Sequence, residues 1–316
     1  MKVPFFKSRA LSSRGLLSRG LRIATVLLAA GALIAQEPMF KVDVRLVRLL
    51  VTVKDAAGEL IGSLDRKQFT VTDNGIAQEI AAFERQTAQP LSVELLIDTS
   101  GSTGKDLKYE TNSISTFLKA FLGEGNPEDA VALYSFNDDV TLLNTFTRRM
   151  DRIEDRLRLL HPDAGTSLYD AVYLAAPDLR DRQGRHVMVV VTDGGDTTSK
   201  KKYRDAVEAA QRADAVLYAL VVVPITNPAG RNTGGEHALE AMVEATGGRM
   251  FYPSIGAELD RAFADILRDL RTQYLIGYYP RGVPQGDRNF HTVHVGLERK
   301  ELRVSTRTGY YGDSSR

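Results

Sequence analysis

One stretch of the chain, Ser92–Ser102, constrains the fold more than any other. It reads SVELLIDTSGS, in which an apolar run that ends at Ile97 is followed at once by small polar residues. A short and nearly continuous apolar run is typical of a strand that is buried on both faces, as in a parallel sheet covered by helices. The polar residues begin where this strand ends, at the edge where open α/β sheets hold their ligands.

The polar residues after this strand have counterparts elsewhere in the chain. The next strongly apolar run of this kind, His186–Val191, ends in Thr192 and Asp193, and the small-residue loop Gly165–Leu168 lies between the two runs and opens a helix. Oxygen ligands suit Mg²⁺, Mn²⁺ or Ca²⁺ rather than Zn²⁺ or copper. We therefore predict a hard, all-oxygen metal site that consists of Asp98, Ser100, Ser102, Thr166 and Asp193.

These five residues resemble the metal-ion-dependent adhesion site of the von Willebrand factor A domain. The pattern of that family is D-x-S-x-S, then a Thr, then an Asp at a strand end, and each position is occupied here. The resemblance implies a Rossmann-like domain that binds Mg²⁺, or else Mn²⁺ or Ca²⁺. It also implies a protein partner whose exposed Asp or Glu completes the coordination of the ion, with Asp98 and Asp193 often acting through water.

Segments outside these five residues resemble a narrower group within the family. The stretches GTSLYDAV, TDGGDTTS and LRTQYLIGYYPRG are similar to exported bacterial proteins that carry a von Willebrand factor A-related domain, a group abundant in Acidobacteria. This resemblance covers almost everything after residue 36. It implies a fold and a metal, and it offers little about the ligand.

The first 36 residues predict a secretory signal peptide. A basic start leads into Ile23–Ala35, an uncharged apolar run of 13 residues, which fits the core of a signal peptide and falls short of the roughly 20 residues that span a bilayer. An uncleaved N-terminal anchor is the alternative. We expect export to the periplasm or the extracellular space, with membrane contact through this segment alone. The chain contains no Cys, so it has neither a lipidation site nor a disulfide framework.

The charge distribution argues against a nucleic-acid-binding protein. The formal net charge of +1 includes six basic residues and no acidic residue within residues 1–36, which leaves −5 for the rest of the chain. A mature protein with this balance lacks the basic footprint that nucleic-acid binding requires.

The pattern along the chain predicts two interleaved parts. Residues 37–90 indicate a long bent strand at Met39–Val53, a strand at Phe69–Thr72 and, after a hairpin turn at Asp73–Gly75, a strand at Ile76–Glu84. Residues 274–312 are again rich in β-strand signals, with strands expected at Tyr274–Tyr279, Thr292–Leu297 and Leu302–Tyr310 and a surface loop at Gly282–Arg288. Residues 91–273 alternate strands and helices, which favours a doubly wound sheet. We predict an α/β fold in which a Rossmann-like von Willebrand factor A domain is inserted into a small antiparallel β-sandwich built from the N- and C-terminal strands.

The candidate residues also allow other interpretations. Asp98, Ser100 and Thr166 could simply cap helices, although capping does not require the alternate spacing of Ser100 and Ser102. A structural envelope component, in which the metal only stabilises the fold, is the second functional hypothesis. A hydrolase is the third, but the chain shows neither a G-x-S-x-G elbow nor an H-E-x-x-H motif. We therefore expect a binding module and not an enzyme.

Overall fold

The computed structural model describes residues 46–85, 88–222, 233–283 and 290–312. The predicted signal peptide, the first part of the predicted strand Met39–Val53 and most of the predicted loop Gly282–Arg288 lie outside these residues. Within the described ranges, no helix has the length and apolar character needed to cross a membrane.

The strands and helices follow one another in the order that the sequence predicts, with few exceptions. The strands are β1 (Val47–Lys54), β2 (Phe69–Asp73), β3 (Ile76–Gln78), β4 (Ile80–Arg85), β5 (Leu91–Asp98), β6 (Ala130–Phe136), β7 (Val140–Thr147), β8 (Arg185–Thr192), β9 (Ala215–Val221), β10 (Met250–Phe251), β11 (Tyr274–Tyr278), β12 (Phe290–Leu297), β13 (Arg303–Ser305) and β14 (Gly309–Tyr311). The helices are α1 (Leu107–Glu124), α2 (Met150–Leu157), α3 (Leu168–Arg180), α4 (Tyr203–Arg212), α5 (Thr233–Thr246) and α6 (Ala257–Thr272).

A six-stranded sheet with the order β10-β9-β8-β5-β6-β7 forms the centre of the α/β domain. Its strands are parallel except β7, which pairs antiparallel with β6 at the edge. All eight residues of β5 are buried, because helices cover both faces of the sheet. Val93 and Leu95 pack with α1 and α6 on one face, and Leu96 packs with α3 and α4 on the other.

Two four-stranded sheets, β13-β1-β11-β4 and β14-β12-β2-β3, form the β-sandwich. Its core is built from both sheets, with Val51 and Ile276 from one and Val71 and Val295 from the other. Each sheet contains two strands from the N-terminal segment and two from the C-terminal segment, so neither end of the chain could form this core alone. The predicted fold class, an A-type domain inserted into a small sandwich, is confirmed.

The chain leaves the sandwich for the α/β domain and returns to it at two neighbouring strands. β4 precedes the α/β domain and β11 follows it, and the two strands pair antiparallel with Arg85 opposite Tyr274. The two connections therefore lie side by side, which is the geometry that tolerates a domain insertion without disturbing the host sheet.

Three details of the sequence-based prediction are wrong. The single strand expected at Ile76–Glu84 is two strands, β3 and β4, which belong to different sheets, and the strand expected at Leu302–Tyr310 is divided in the same way into β13 and β14. Apolar alternation shows which side chains face inward, but it does not show which of two sheets a strand joins. The third detail is β7, which was not predicted.

Candidate metal centre

The loops after β5 and β8 lie together at the carboxyl edge of the central sheet. The two strands are parallel neighbours, with Ile97 opposite Val191, so Asp98 and Asp193 leave the sheet at the same edge. The first turn is shaped by its own side chains, because the Ser100 N–H donates to Asp98 Oδ1 at 2.8 Å and the Thr103 hydroxyl donates to the Ser100 carbonyl at 2.8 Å.

Four of the five predicted site residues are held together by side chains at this edge. The hydroxyls of Ser100 and Ser102 are 3.1 Å apart, and the Ser102 hydroxyl donates to Asp193 Oδ1 at 3.0 Å. The Thr192 hydroxyl donates to Asp98 Oδ2 at 2.5 Å. Thr192 was not among the predicted site residues, but it joins the end of β8 directly to the carboxylate at the end of β5.

Thr166 approaches the same edge on a separate loop. Its N–H donates to the Thr197 hydroxyl at 2.9 Å, and the Thr197 N–H donates to the Thr166 carbonyl at 2.8 Å. Three residues earlier, the Asp163 N–H donates to the Thr99 carbonyl at 2.9 Å. The loop that carries Thr166 is thus tied to the loops after β5 and β8. The Thr166 hydroxyl makes no hydrogen bond to the described residues, so its lone pairs are available to a ligand.

A glycine makes this loop possible. Gly165 has φ +79°, a backbone conformation that residues other than glycine rarely adopt. A Cβ at this position would also lie 1.7 Å from Asp138 Oδ1. Gly165 therefore sets the direction in which the chain enters Thr166 and α3.

Burial raises the pKa of both carboxylates of the site. Asp98 is fully buried, and this burial raises its pKa to about 6, against the lowering effect of the hydrogen bonds from Thr192 and Ser100. Burial also raises the pKa of Asp193, which is partly exposed. A positive ion at this edge would stabilise both ionised carboxylates.

Glu110 is a third acidic residue at this site, and it was missed in the sequence analysis. It lies on α1 and is 2% exposed, and burial together with the charges of Asp193 and Asp98 raises its pKa to about 8. The signal was present, since Glu110 lies four residues before the buried Ile114 and therefore on the apolar face of the helix. A charged residue on that face is unusual unless it has a counter-charge.

The site offers oxygen donors and no internal cation. Among the described residues, no Lys or Arg forms an ion pair with Asp98, Asp193 or Glu110, and no group of three or more His, Cys, Asp and Glu side chains is arranged to hold a metal. The donors are instead two carboxylates and neutral hydroxyls. This set of oxygen ligands fits a hard divalent cation.

Two further acids near the site have structural roles. Asp170 accepts the N–H groups of Lys200 and Lys201 at 3.0 and 2.7 Å, and Asp196 accepts the N–H of Tyr169 at 3.1 Å. Both carboxylates join α3 to the loop that follows β8. They therefore hold the loop of Asp193 in place without pointing to a role as ligands.

Comparison with known protein families identifies the part of the chain that carries this site. Residues 93–195 match the family model of the von Willebrand factor type A domain. These residues form a von Willebrand factor type A domain. The matched segment extends from β5 to the loop after β8, so all five predicted site residues of the A domain lie within it.

Solved structures similar to this chain include three bacterial proteins. They are the vWF domain of the type V pili tip protein Mfa5 from Porphyromonas gingivalis (14% identity, 58% of this chain and 95% of that chain, TM-score 0.46), the PilB minor pilin from Streptococcus sanguinis (15%, 59% and 62%, TM-score 0.46) and the conserved hypothetical protein BatB from Bacteroides thetaiotaomicron (17%, 57% and 98%, TM-score 0.46). No curated protein matches the chain. The narrower resemblance to exported proteins of Acidobacteria stays a prediction.

Proposed function

We propose that the A domain binds one divalent cation at the edge of its sheet and, through that ion, an acidic group of a protein partner. Asp98, Ser100, Ser102, Thr166 and Asp193 would hold the ion, with Mg²⁺ as the expected metal and Mn²⁺ or Ca²⁺ as substitutes. The ion would supply a positive charge that attracts a carboxylate from outside the chain.

The hydrogen-bonded series from Asp98 to Asp193 carries this proposal. Ser100 and Ser102 present their hydroxyls next to each other, and Ser102 contacts the second carboxylate. Asp98 is completely buried, whereas Ser102 is exposed and Asp193 is partly exposed. The donors therefore lead from the interior to the surface, where a side chain of a partner can reach the ion.

The neutral donors favour a role in binding. Three hydroxyls do not reduce the charge of a divalent ion, so an ion held directly by the hydroxyls, with Asp98 and Asp193 acting through water, retains affinity for one more anion. Mg²⁺ keeps several waters when protein ligands are few, and a carboxylate of the partner can replace one of them. The partner is thus expected to expose an Asp or a Glu at the centre of its contact surface.

The hydroxyls lack the environment of a nucleophile. Among the described residues, no His or Lys is hydrogen-bonded to Ser100, Ser102 or Thr166, and a serine or threonine nucleophile needs an adjacent base. We therefore assign no catalytic role to the site. Export and a location in the periplasm or outside the cell remain part of the proposal, together with the signal peptide at residues 1–36.

Cation titration followed by partner capture tests the proposal. The parent chain should bind Mg²⁺ and Mn²⁺ saturably in calorimetry, whereas the Asp98→Ala, Ser102→Ala and Thr166→Ala variants should bind them much more weakly. Glu301→Ala is a matched control, because Glu301 is an exposed acid that pairs only with Arg299. Equal cation binding by all variants would contradict the assigned site.

The partner is tested separately. Immobilised parent protein should retain a protein from a cell-envelope extract in Mg²⁺ and release it in chelator, and Asp98→Ala should retain nothing. The parent protein could instead bind the cation and gain heat resistance but capture no partner in either condition. That result would mean that the metal only stabilises the fold, and it would contradict the adhesion role.

A further inference from the structure

The strand β7 forms one edge of the central sheet and has a neighbour on one side only. It is last in the strand order and pairs antiparallel with β6. None of its eight residues is buried, whereas six of the seven residues of β6 are. An edge strand presents a row of backbone N–H and C=O groups that can pair with another strand.

The outward backbone groups of β7 have no partner strand in the described part of the chain. There, no backbone hydrogen bond joins β7 to any segment other than β6. One local contact is present, in which the Asn144 side-chain amide donates to the Thr145 carbonyl. The outer edge of β7 is therefore open to a further strand.

The sequence of β7 lacks the residues that usually prevent edge pairing. Natural edge strands are short or carry charges or Pro. The strand at the opposite edge, β10, has two residues, and the edge strand β4 of the sandwich carries Glu84 and Arg85. In contrast, β7 reads VTLLNTFT, without a charge or a Pro, and its Leu142 is 42% exposed. Its one irregularity is a shift in register near Leu133 of β6.

Opposite charges flank β7. Asp138 and Asp139 precede the strand, and Arg148 and Arg149 follow it. Asp139 is exposed and forms no ion pair with the described residues. Arg149 pairs with Asp151, but both side chains are more than half exposed, and such surface pairs contribute little to stability. Each end of the strand thus has an accessible charge of opposite sign.

We propose that β7 pairs antiparallel with β7 of a second copy of this chain, so that one continuous sheet extends across two A domains. A two-fold axis near Asn144 relates the two strands, and the start of each strand then lies opposite the end of the other. Asp139 of each copy faces Arg149 of the other copy, which forms two attractive pairs across the axis. The dimer uses none of the predicted metal ligands and is independent of the metal centre.

Sedimentation equilibrium of the full chain over a series of concentrations tests this dimer. The parent should change from monomer to dimer as its concentration rises. Leu142→Lys should raise the dissociation constant of the dimer about tenfold or more, because a charge on the pairing edge opposes strand addition. Leu174→Lys is the matched control, since Leu174 is an exposed leucine on α3, and it should stay within about twofold of the parent. A parent that is monomeric at every concentration, or equal dimerisation of parent and Leu142→Lys, would overturn the proposal.

Two charge reversals test the antiparallel direction. Asp139→Arg and Arg149→Glu should each weaken the dimer, because each places like charges opposite one another. An equimolar mixture of the two variants should form a heterodimer, since both pairs across its axis are then attractive. A mixture that stays monomeric, or two variants that each dimerise as tightly as the parent, would contradict the pairing of β7 with itself.

Discussion

The β-sandwich and the edge of the central sheet each contain a buried aspartate, and the two aspartates differ in their hydrogen-bond partners and in the charges around them. In the sandwich, Asp73 is completely buried. His291 Nδ1 lies 2.9 Å from its Oδ1, and Tyr278 and Tyr310 donate their hydroxyls to its Oδ2 at 2.9 and 2.8 Å. Each oxygen of this carboxylate thus has a side-chain partner within the chain.

At the sheet edge, Asp98 is equally buried but less completely satisfied. Its oxygens accept one hydrogen bond each, from the Ser100 N–H and the Thr192 hydroxyl. Its charged neighbours are acids, because Asp193 and Glu110 interact with it unfavourably. The comparison teaches that Asp73 is part of a closed network within the chain, whereas Asp98 belongs to a group of acids without such a network, for which we propose a cation from outside.

The largest effect is expected for the sandwich network. Asp73→Ala leaves three buried donors or charges without their acceptor, so we expect the free energy of unfolding to fall by about 3–5 kcal/mol. Chemical denaturation measures this change, with Glu301→Ala, an exposed acid, as the control. A loss below about 1 kcal/mol, typical of a surface ion pair, would contradict the role of the network.

A third buried carboxylate sharpens the comparison. Glu94 lies in the middle of β5, is completely buried, and has no partner for either oxygen. Burial raises its pKa from 4.5 to about 9. The folded protein therefore keeps a proton that the unfolded chain releases, so stability falls as the pH rises from 4.5 towards about 9. In contrast to Asp98, which ends β5 at the sheet edge, this residue lies within the strand.

Glu94→Gln should remove this pH dependence. Between pH 5 and pH 7, the parent should lose about 3 kcal/mol of stability through this residue, at about 1.4 kcal/mol per pH unit, and the variant should not. Urea unfolding at several pH values measures the slope. Glu128→Gln, at an exposed position, is the control and should retain the slope of the parent. Parallel curves for the parent and Glu94→Gln would show that Glu94 is not protonated in the fold.

Metal-linked stability comes next in size. At a cation concentration about one hundred times the dissociation constant, the parent should gain about 2.7 kcal/mol of stability. Asp98→Ala should gain nothing from the cation, since it lacks the buried carboxylate of the site. Thermal unfolding with Mg²⁺ and with chelator measures the gain in stability of both proteins. Asp73→Ala is a further control, because its stability should still increase with Mg²⁺ if it folds. An equal response in Asp98→Ala would contradict the difference between the two regions.

Gly165→Ala should have a smaller effect. The positive φ at Gly165 strains any other residue by about 1–3 kcal/mol, while the clashing Asp138 side chain is exposed and can move. We expect reduced thermal stability and weaker cation binding, because Thr166 follows directly. Gly194→Ala is the control, since Gly194 has no such φ and a Cβ there meets nothing within 4 Å. Identical behaviour of both variants would show that the loop conformation does not matter.

The smallest effect is expected for Glu110→Gln. This change replaces an acid that a bound cation would help to ionise, and it removes no predicted ligand, so cation affinity should fall by about tenfold or less. Calorimetry with Mn²⁺ measures the change, and a loss as large as that of Asp98→Ala would make Glu110 a direct ligand.

Most of the fold could be predicted from the sequence because the buried parallel strands and the antiparallel strands have different apolar patterns. Fully apolar runs such as Val187–Val191 predicted the buried parallel strands, and the Asp73–Gly75 turn predicted the hairpin that follows β2. The sheet changes at Glu79 and between β13 and β14 could not be predicted, because alternation does not distinguish the two sheets of a sandwich. The edge strand β7 is only half-buried, so its pattern is weak.

The candidate site, like the fold, could be predicted only in part. Asp98 and Asp193 follow apolar runs directly, so their position at strand ends was readable from the sequence. Glu110 was missed because it depends on how α1 packs over the sheet edge, and Thr192 was missed because its hydroxyl turns back to Asp98. The spacing of residues places Glu110 on the apolar face of α1, but it does not show that either side chain lies near Asp98.

The most direct measurement is anomalous diffraction from crystals of the protein grown with Mn²⁺. A single strong peak is expected at the carboxyl edge of the sheet, bound by the hydroxyl oxygens of Ser100 and Ser102 at about 2.0–2.3 Å, and absent in Asp98→Ala. The absence of a peak at saturating Mn²⁺, or a peak bound only by residues outside this edge, would contradict the metal centre.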